Sequence, residues 1–184
     1  MNLERSILTD CGASAELVIV AAMDQAYGTG KDGGIPWRLT RDLQRFRALT
    51  TGGVLAMGRV TYASCVDTLS KDRAVALLSK TRLPQGEARR VHAVSLKELL
   101  FGMTPAKGPL FACGGEGVWS EAIKLSQRGT RTMAALTIVE GRFDCDRRFP
   151  VDPCLWGFKE VLRTAWQDDP EGGPRSKFIQ LVNW

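Results

Sequence analysis

Residues 17–49 carry the densest structural signals in the chain and read LVIVAAMDQAYGTGKDGGIPWRLTRDLQRFRAL. The apolar run Leu17–Met23 is short and β-branched and precedes turn residues, so it predicts a buried strand. Four glycines lie within residues 28–34, and the spacing of apolar residues over Thr40–Leu49 predicts a helix. A strand, a glycine-rich loop and a helix in this order are typical of the first unit of an α/β fold.

The rest of the chain continues the alternation of strands and helices. Further strands are predicted at residues 54–57, 74–78, 91–94, 110–113, 132–139, 158–166 and 177–182. Further helices are predicted at residues 60–66, 96–101 and 117–125. This alternation favours one α/β domain, residues 17–184, with a largely parallel sheet and helices on its faces. The turn-rich segment 168–174 predicts a hairpin between the last two strands, and residues 1–16 are interpreted as an N-terminal extension.

The composition is that of a globular protein, because 44% of the 184 residues are hydrophobic and 24% are charged. The longest apolar run is well short of the about 20 residues that a membrane-spanning helix needs. Residues 1–16 lack the apolar segment of a secretory signal. Five cysteines without a CxxC spacing predict free thiols in a reducing cytoplasm, and the single histidine, His92, is expected to be an ordinary strand residue.

The net charge of +5 does not by itself identify a partner. The basic residues are scattered, and no run of them reaches the length of a nucleic-acid-binding arm. A basic chain can bind nucleic acid, and it can equally bind a small polyanion.

The helix predicted at Thr40–Leu49 places an acid on its apolar face. At about 100° per residue, Asp42, Phe46 and Leu49 share one face, and Leu43 lies at its margin. Thr40 is a suitable N-cap. Asp42 either complements the helix dipole from the first turn or lines a cleft, where it would meet a cationic or hydrogen-bond-donating ligand. The helix alone does not distinguish these two interpretations.

Three predicted strands end in glycine, hydroxyl or basic residues, at Gly58–Thr61, Ser79–Thr81 and Gly114–Trp119. Glycine lets backbone N–H groups approach an anion, and a helix N-terminus attracts negative charge. Ligands of open α/β sheets bind at the carboxyl ends of strands. The three ends together predict a site for a dinucleotide with several phosphates, although the first βα unit lacks the G-x-G-x-x-G fingerprint.

The glycine-rich loop has two possible interpretations. It ends in Ile35-Pro36-Trp37, an apolar group that would fix its far end. The loop is either an ordinary flexible connection or a lid that closes over a cleft.

These motifs together resemble dihydrofolate reductase, in order from about Val18 to Val182. The most specific are Gly30–Trp37, Asp42–Phe46 and Met57–Tyr62, and Gly114–Trp119 and Phe149-Pro150 also fit. The resemblance implies a single-domain α/β fold whose mostly parallel sheet has eight strands, an antiparallel C-terminal edge and helices on both faces. It implies reduction of 7,8-dihydrofolate to tetrahydrofolate with NADPH, by a cytoplasmic monomer that antifolates inhibit.

The resemblance also implies roles for individual residues at the substrate. Asp42 would hold the pterin, Thr137 would support that acid, and Trp37 would help to order a water near the pterin. Arg73 would clamp the α-carboxylate of the glutamate, which a planar guanidinium fits bidentately. The full substrate set implied is Val20, Ala22, Asp42, Leu43, Phe46, Leu69, Arg73, Cys113 and Thr137.

The cofactor site implied by the resemblance follows the three strand ends and the glycine-rich loop. Basic residues around the adenosine 2′-phosphate would favour NADPH over NADH, and residues 114–119 would form the pyrophosphate turn. Gly30 and Lys31 would belong to the lid over the nicotinamide. The full set implied, with no metal ion, is Ala22, Gly30, Lys31, Gly58, Arg59, Val60, Thr61, Ser79, Lys80, Gly114, Gly115, Glu116, Gly117, Val118 and Trp119.

The chain departs from the family's usual residues at Cys65, Cys113 and Trp119. The two cysteines stand where aliphatic residues are usual, and the tryptophan stands where a tyrosine is usual. These changes bear on inhibitor fit more than on the reaction. Two other functions stay open: a pyrimidine reductase of riboflavin synthesis on the same fold, and a structural or nucleic-acid-binding subunit of a larger assembly. The Ile-Pro-Trp motif with Asp42 argues against the first, and intact Asp42, Arg73 and Thr137 argue against the second.

Overall fold

The computed structural model describes residues 15–69, 74–80, 90–102, 108–152 and 156–184. These residues form strands β1 (Leu17–Asp24), β2 (Gly28–Gly30), β3 (Val54–Gly58), β4 (Ala74–Leu78), β5 (Arg90–Ala93), β6 (Leu110–Gly114), β7 (Thr132–Val139), β8 (Arg147–Arg148), β9 (Lys159–Arg163) and β10 (Ser176–Val182). The α-helices of the described residues are α1 (Thr40–Leu49), α2 (Arg59–Cys65), α3 (Leu96–Gly102) and α4 (Glu116–Gln127), and a 3₁₀ turn (Val66–Thr68) follows α2.

Eight strands form one sheet in the order β5-β4-β3-β6-β1-β7-β10-β9. All neighbours from β5 to β7 run parallel, whereas β10 is antiparallel to both β7 and β9. The predicted mostly parallel sheet with an antiparallel C-terminal edge is therefore confirmed. The predicted strand at 158–166 is shorter than expected, because the regular strand ends at Arg163. Beyond it, the N–H of Thr164 donates to the carbonyl of Phe178, and Gln167 forms a bridge with Ser176.

The sheet is buried on both faces, as a central parallel sheet requires. Along β1, Leu17 and Ile19 belong to one core cluster, and Val18 belongs to the other. The first cluster includes the inner side of α4, and the second has Phe46 of α1 packed against it. Helices therefore cover both faces, and α1 lies on the face opposite to α4.

The start of α1 differs from the prediction. Thr40 is the first helical residue, and buried Leu39 holds the N-cap position without a side-chain cap. The prediction of Thr40 as N-cap was wrong because the cap comes from a distant segment. The Asp169 carboxylate, in the loop between β9 and β10, accepts the backbone N–H of Arg41 at 3.2 Å. A carboxylate at a helix N-terminus also suits the helix dipole.

The boundary of the predicted N-terminal extension is partly described. Ala15 is buried, and the N–H of Glu16 donates to the carbonyl of Arg131 at 2.9 Å. Residues 1–14 lie outside the described residues, so the extension as a separate segment stays a prediction.

Candidate active site

An acid and a hydroxyl from distant parts of the chain meet beneath α1. The hydroxyl of Thr137, on β7, donates a hydrogen bond to Oδ1 of Asp42, on α1, although 95 residues separate them. Thr137 is buried and Asp42 is half-buried. A small cavity, open to solvent, lies beside this pair and is lined by Val20, Asp42, Arg45, Phe46, Leu49, Ala135, Thr137 and Phe178.

The environment of Asp42 resists ionisation of its carboxyl group. Burial raises its pKa above the ordinary 3.8, while the hydrogen bond from Thr137 and the positive charge of Arg45 act to lower it. The hydrogen bond to Thr137 also directs the carboxylate toward the sheet. An acid that only complements a helix dipole needs no partner on a distant strand, so the hydrogen bond to Thr137 favours the interpretation that Asp42 lines a cleft.

The structure gathers part of the predicted substrate set around the cavity. Val20, Phe46, Asp42 and Thr137 line it. Ala22 pairs with Thr137 in the register of β1 and β7, which places it beside the same wall. Leu69 and Cys113 are partly buried and pack against the core cluster under the cavity.

Three predicted substrate or catalytic residues are not among those that line the cavity. Leu43 is 47% exposed, in keeping with its place at the margin of the apolar face. Trp37 packs edge-on against Phe143, with ring centroids 5.0 Å apart, and is not among the residues described as lining the cavity. Arg73 lies outside the described residues. The roles assigned to all three stay predictions.

The predicted substrate set lacks four of the residues that line the cavity: Arg45, Leu49, Ala135 and Phe178. The guanidinium carbon of Arg45 lies 4.3 Å from the centroid of the Phe178 ring. Arg45 lies three residues after Asp42, which places the two on neighbouring parts of the helix surface. Phe178 gave no comparable signal, since an apolar residue in a C-terminal strand indicates only a core position.

The ends of β3 and β6 lie side by side and form a second candidate surface. Gly114 and Gly115 have φ angles of +148° and +87°, a region that side chains rarely adopt. A Cβ at Gly114 would lie 2.8 Å from the Thr61 side chain, and one at Gly115 would lie 3.8 Å from the Cα of Gly58. Gly114 is therefore favoured both by its φ angle and by the lack of space, and Gly115 by its φ angle. Gly115 is also the N-cap of α4, whose first N–H groups have no partner within the helix.

Basic residues stand next to this surface. Gly58 and Leu78 pair in the parallel register of β3 and β4, so Arg59 and Lys80 follow neighbouring strand ends, and both are exposed. Ser79 is buried, and its N–H donates to the carbonyl of Ala93. The predicted convergence of three strand ends therefore has a structural basis in the order β4-β3-β6. His92 lies in β5, as expected of a strand residue.

The glycine-rich loop is held at several points. β2 pairs with β8, and Lys31 and Gly34 exchange backbone hydrogen bonds of 3.0 and 2.8 Å. The ammonium of Lys31 contacts the carboxylate of Asp144, which raises the pKa of Lys31 and lowers that of Asp144. Closure of this loop over a ligand stays a prediction.

Trp119 connects the two halves of the candidate site. Its indole N–H donates to the carbonyl of Val20 at 3.1 Å, and its ring packs on Phe149 at 5.1 Å. The residue that departs from the usual tyrosine thus joins the first turn of α4 to the cavity wall.

The described part of the chain offers no group of three or more metal-ligating side chains. Across the same residues, no helix combines the length and apolar character that a membrane span requires.

Comparison with known proteins identifies the family. The sequence profile described as dihydrofolate reductase matches residues 16–182, nearly the whole chain. This chain belongs to the dihydrofolate reductase family. The predicted family is confirmed, and the profile includes every residue of the candidate site.

Individual relatives of the dihydrofolate reductase family span similar lengths. The chain is 30% identical over 164 residues to dihydrofolate reductase type 3 of Salmonella typhimurium, covering 89% of this chain and 95% of that one. It is 30% identical over 135 residues to the dihydrofolate reductase of Staphylococcus aureus, covering 73% of this chain and 77% of that one.

A solved dihydrofolate reductase shares the fold. The enzyme from Enterococcus faecalis, complexed with NADP(H) and RAB-propyl, superimposes with a TM-score of 0.76 over 90% of this chain and 95% of that one. At 23% identity, the likeness concerns the fold.

Proposed function

We propose that the protein reduces 7,8-dihydrofolate to 5,6,7,8-tetrahydrofolate with NADPH as reductant. The observation that carries the proposal is the Asp42–Thr137 pair at the wall of an apolar cavity. The cavity would receive the planar pterin head of the substrate, whose hydrogen-bonding groups would meet Asp42, while the rest of the substrate would extend along the exposed side of α1.

Asp42 would bind and orient the pterin. Thr137 donates to Oδ1, and a carboxylate has further lone pairs that accept hydrogen bonds from the N3–H and 2-amino groups of the pterin. The negative charge of Asp42 would favour a proton at N5 of the bound substrate. The proton itself would arrive through water, since in this arrangement Asp42 holds the other end of the ring.

The surface at the ends of β3 and β6 suits the cofactor. The close approach of Gly58, Thr61, Gly114 and Gly115 leaves backbone N–H groups accessible to a pyrophosphate, and the N-terminus of α4 attracts its charge. Arg59 and Lys80 would face the 2′-phosphate. When bound, NADPH supplies the hydride that adds to C6 of the pterin.

The protein's own contribution would be proximity and a dry site. Trp119 fixes the backbone of β1 at Val20 and so joins the surface at the ends of β3 and β6 to the cavity wall. Holding two reactants in register converts a bimolecular step into an effectively unimolecular one. The lid predicted at Gly30 and Lys31 would exclude water once both ligands are bound.

The test is the near-ultraviolet absorbance of NADPH after addition of dihydrofolate to the purified protein. We expect NADPH to be consumed in equal amount to the tetrahydrofolate formed, and an antifolate to stop the reaction. The Asp42→Asn variant serves as the matched control for a contaminating reductase. Absence of dihydrofolate-dependent NADPH consumption would contradict the proposal.

We further propose a monomer that works in the cytoplasm and binds no nucleic acid. The described cysteines Cys65, Cys113 and Cys145 are free thiols, which suits a reducing compartment. Size-exclusion chromatography with light scattering, repeated with added duplex DNA, tests the monomer and the absence of DNA binding.

A further inference from the structure

One of the three arginines of α1 turns toward the cavity. Arg45 is half-buried and lines the cavity, whereas Arg41 and Arg47 are exposed. The guanidinium of Arg45 lies over the Phe178 ring, 4.3 Å from its centroid. Arg45 stands three residues after Asp42, a spacing that brings two residues onto neighbouring parts of a helix surface, and both line the cavity.

The other residues of the cavity wall carry no charge. β1 contributes an aliphatic side chain, β7 an alanine and the hydroxyl, β10 an aromatic ring, and α1 two further apolar side chains: Val20, Ala135, Thr137, Phe178, Phe46 and Leu49. Among the described residues, Arg45 supplies the positive charge that lowers the pKa of Asp42, against the effect of burial. In apolar surroundings such an attraction is stronger than in water.

We propose that Arg45 is a positioning residue that keeps the Asp42 carboxylate ionised at the cavity wall. The Phe178 ring holds the guanidinium through a cation–π contact, and Thr137 holds the carboxylate from the sheet. Arginine suits this place because its guanidinium stays charged when half-buried and stacks flat on a ring. The inference rests on the proposed function, in which the charge of Asp42 favours protonation of the pterin.

Removal of the positive charge of Arg45 should make the Asp42 carboxylate bind its proton more tightly. In Arg45→Met, Asp42 should hold its proton to higher pH, by up to about one pH unit, because a nearby opposite charge lowers a carboxyl pKa and Arg45 acts on Asp42 less strongly than burial or Thr137 does. The acid limb of kcat/KM should move to higher pH by the same amount. A residue that only fills space would alter stability or KM without moving this limb.

The experiment is a titration of the free protein labelled with ¹³C at the aspartate carboxyl carbon, with the Asp42 signal assigned from Asp42→Asn. The parent is compared with Arg45→Met, with Arg45→Lys, which restores a positive charge, and with the matched control Arg47→Met on the exposed side of α1. We expect the titration midpoint of Asp42 to rise in Arg45→Met. In Arg45→Lys and Arg47→Met it should stay within a few tenths of a pH unit of the parent. Arg45→Gln replaces Arg45→Met if the latter does not fold.

Two results would overturn the inference. One is an Asp42 midpoint that is unchanged in the folded neutral variant, and the other is a midpoint in Arg45→Lys that moves as far as in Arg45→Met. The titration needs no substrate, so it separates this inference from the proposed function. A parent that consumes no NADPH with dihydrofolate contradicts the function, whereas the titration decides the coupling of Arg45 to Asp42.

Discussion

Replacement of Asp42 by asparagine should separate catalysis from stability. The asparagine keeps the shape of the side chain and an oxygen that accepts the hydrogen bond from Thr137. The negative charge beside the pterin disappears. The variant should therefore fold, bind NADPH like the parent and lose turnover at neutral pH.

The expected loss of turnover is about 10²–10⁴-fold, the usual contribution of a group that promotes proton transfer. At about 1.4 kcal/mol for each factor of ten, this corresponds to about 3–6 kcal/mol in the activation free energy. The variant would depend on substrate that is already protonated in solution. Its rate should climb as the pH falls, over a range in which the parent levels off.

Asp42→Asn should lose turnover but gain stability at neutral pH. The hydrogen bond from Thr137 loses its charge assistance, which costs about 1 kcal/mol. Burial is the largest influence on the pKa of Asp42 and outweighs that hydrogen bond, so relief of the buried charge dominates. Because the folded-state pKa is raised, the parent loses stability as the pH rises from 3.8 through that pKa. Asp42→Asn should thus be the more stable protein at pH 7, and the difference should vanish at acid pH.

The measurements are NADPH turnover across the pH range and urea unfolding at neutral and acid pH. Single turnovers with deuterated NADPH should show the same pH trend as steady-state rates. A helix acid that only complements the dipole predicts the reverse pattern, with parent-like turnover and lower stability in the variant. That pattern would refute the role assigned to Asp42.

Three further substitutions test the rest of the site. The double variant Arg59→Ala with Lys80→Ala should bind NADPH more weakly and show a smaller preference for NADPH over NADH. Each charge-assisted contact contributes about 1.5–3 kcal/mol to binding, and less where it is exposed. Equal catalytic efficiency of the parent with both cofactors would contradict this assignment. Arg73→Leu should weaken dihydrofolate binding by about 2–5 kcal/mol and spare NADPH, and a substrate truncated to the bare pterin should be indifferent to the change. Gly114→Ala should lower the free energy of unfolding by about 1–3 kcal/mol, because the new methyl group would lie 2.8 Å from another side chain at a positive φ. Gly117→Ala, which meets nothing within 4 Å, is its control in the same denaturation experiment.

The fold was largely predictable because its signals are local. The apolar runs of β1 and β7 and the period of α1 depend on neighbouring residues, so their bounds agree with the structure to within a residue. Pairs such as β2 with β8 escaped prediction, since each is only two or three residues long and has no hydrophobic period. The cap of α1 escaped for a different reason: Asp169 lies 128 residues from Arg41, and no local pattern joins them.

The candidate site was predictable to a lesser degree. Asp42 stood out because an acid interrupts an apolar stripe, and the glycines at the end of β6 stood out as a cluster. The contact of Arg45 with Phe178 depends on the antiparallel strand β10 returning beside β7, a long-range pairing. The resemblance suggested Thr137 as the partner of Asp42, and the structure supplies the hydrogen bond that joins them.

Trp119 connects the cavity to the surface at the ends of β3 and β6, and its hydrogen bond can run in one direction only. An indole N–H can only donate, so the backbone carbonyl of Val20 must accept, and the first turn of α4 is tied to the strand that lines the cavity. A tyrosine at this position could donate or accept, and its hydroxyl could turn toward a ligand instead. The indole is also fixed on the Phe149 ring. This hydrogen bond ties the surface assigned to the pyrophosphate to the wall assigned to the pterin, and it forms without any ligand. Hydride transfer between two bound molecules requires such pre-organisation of their two sites.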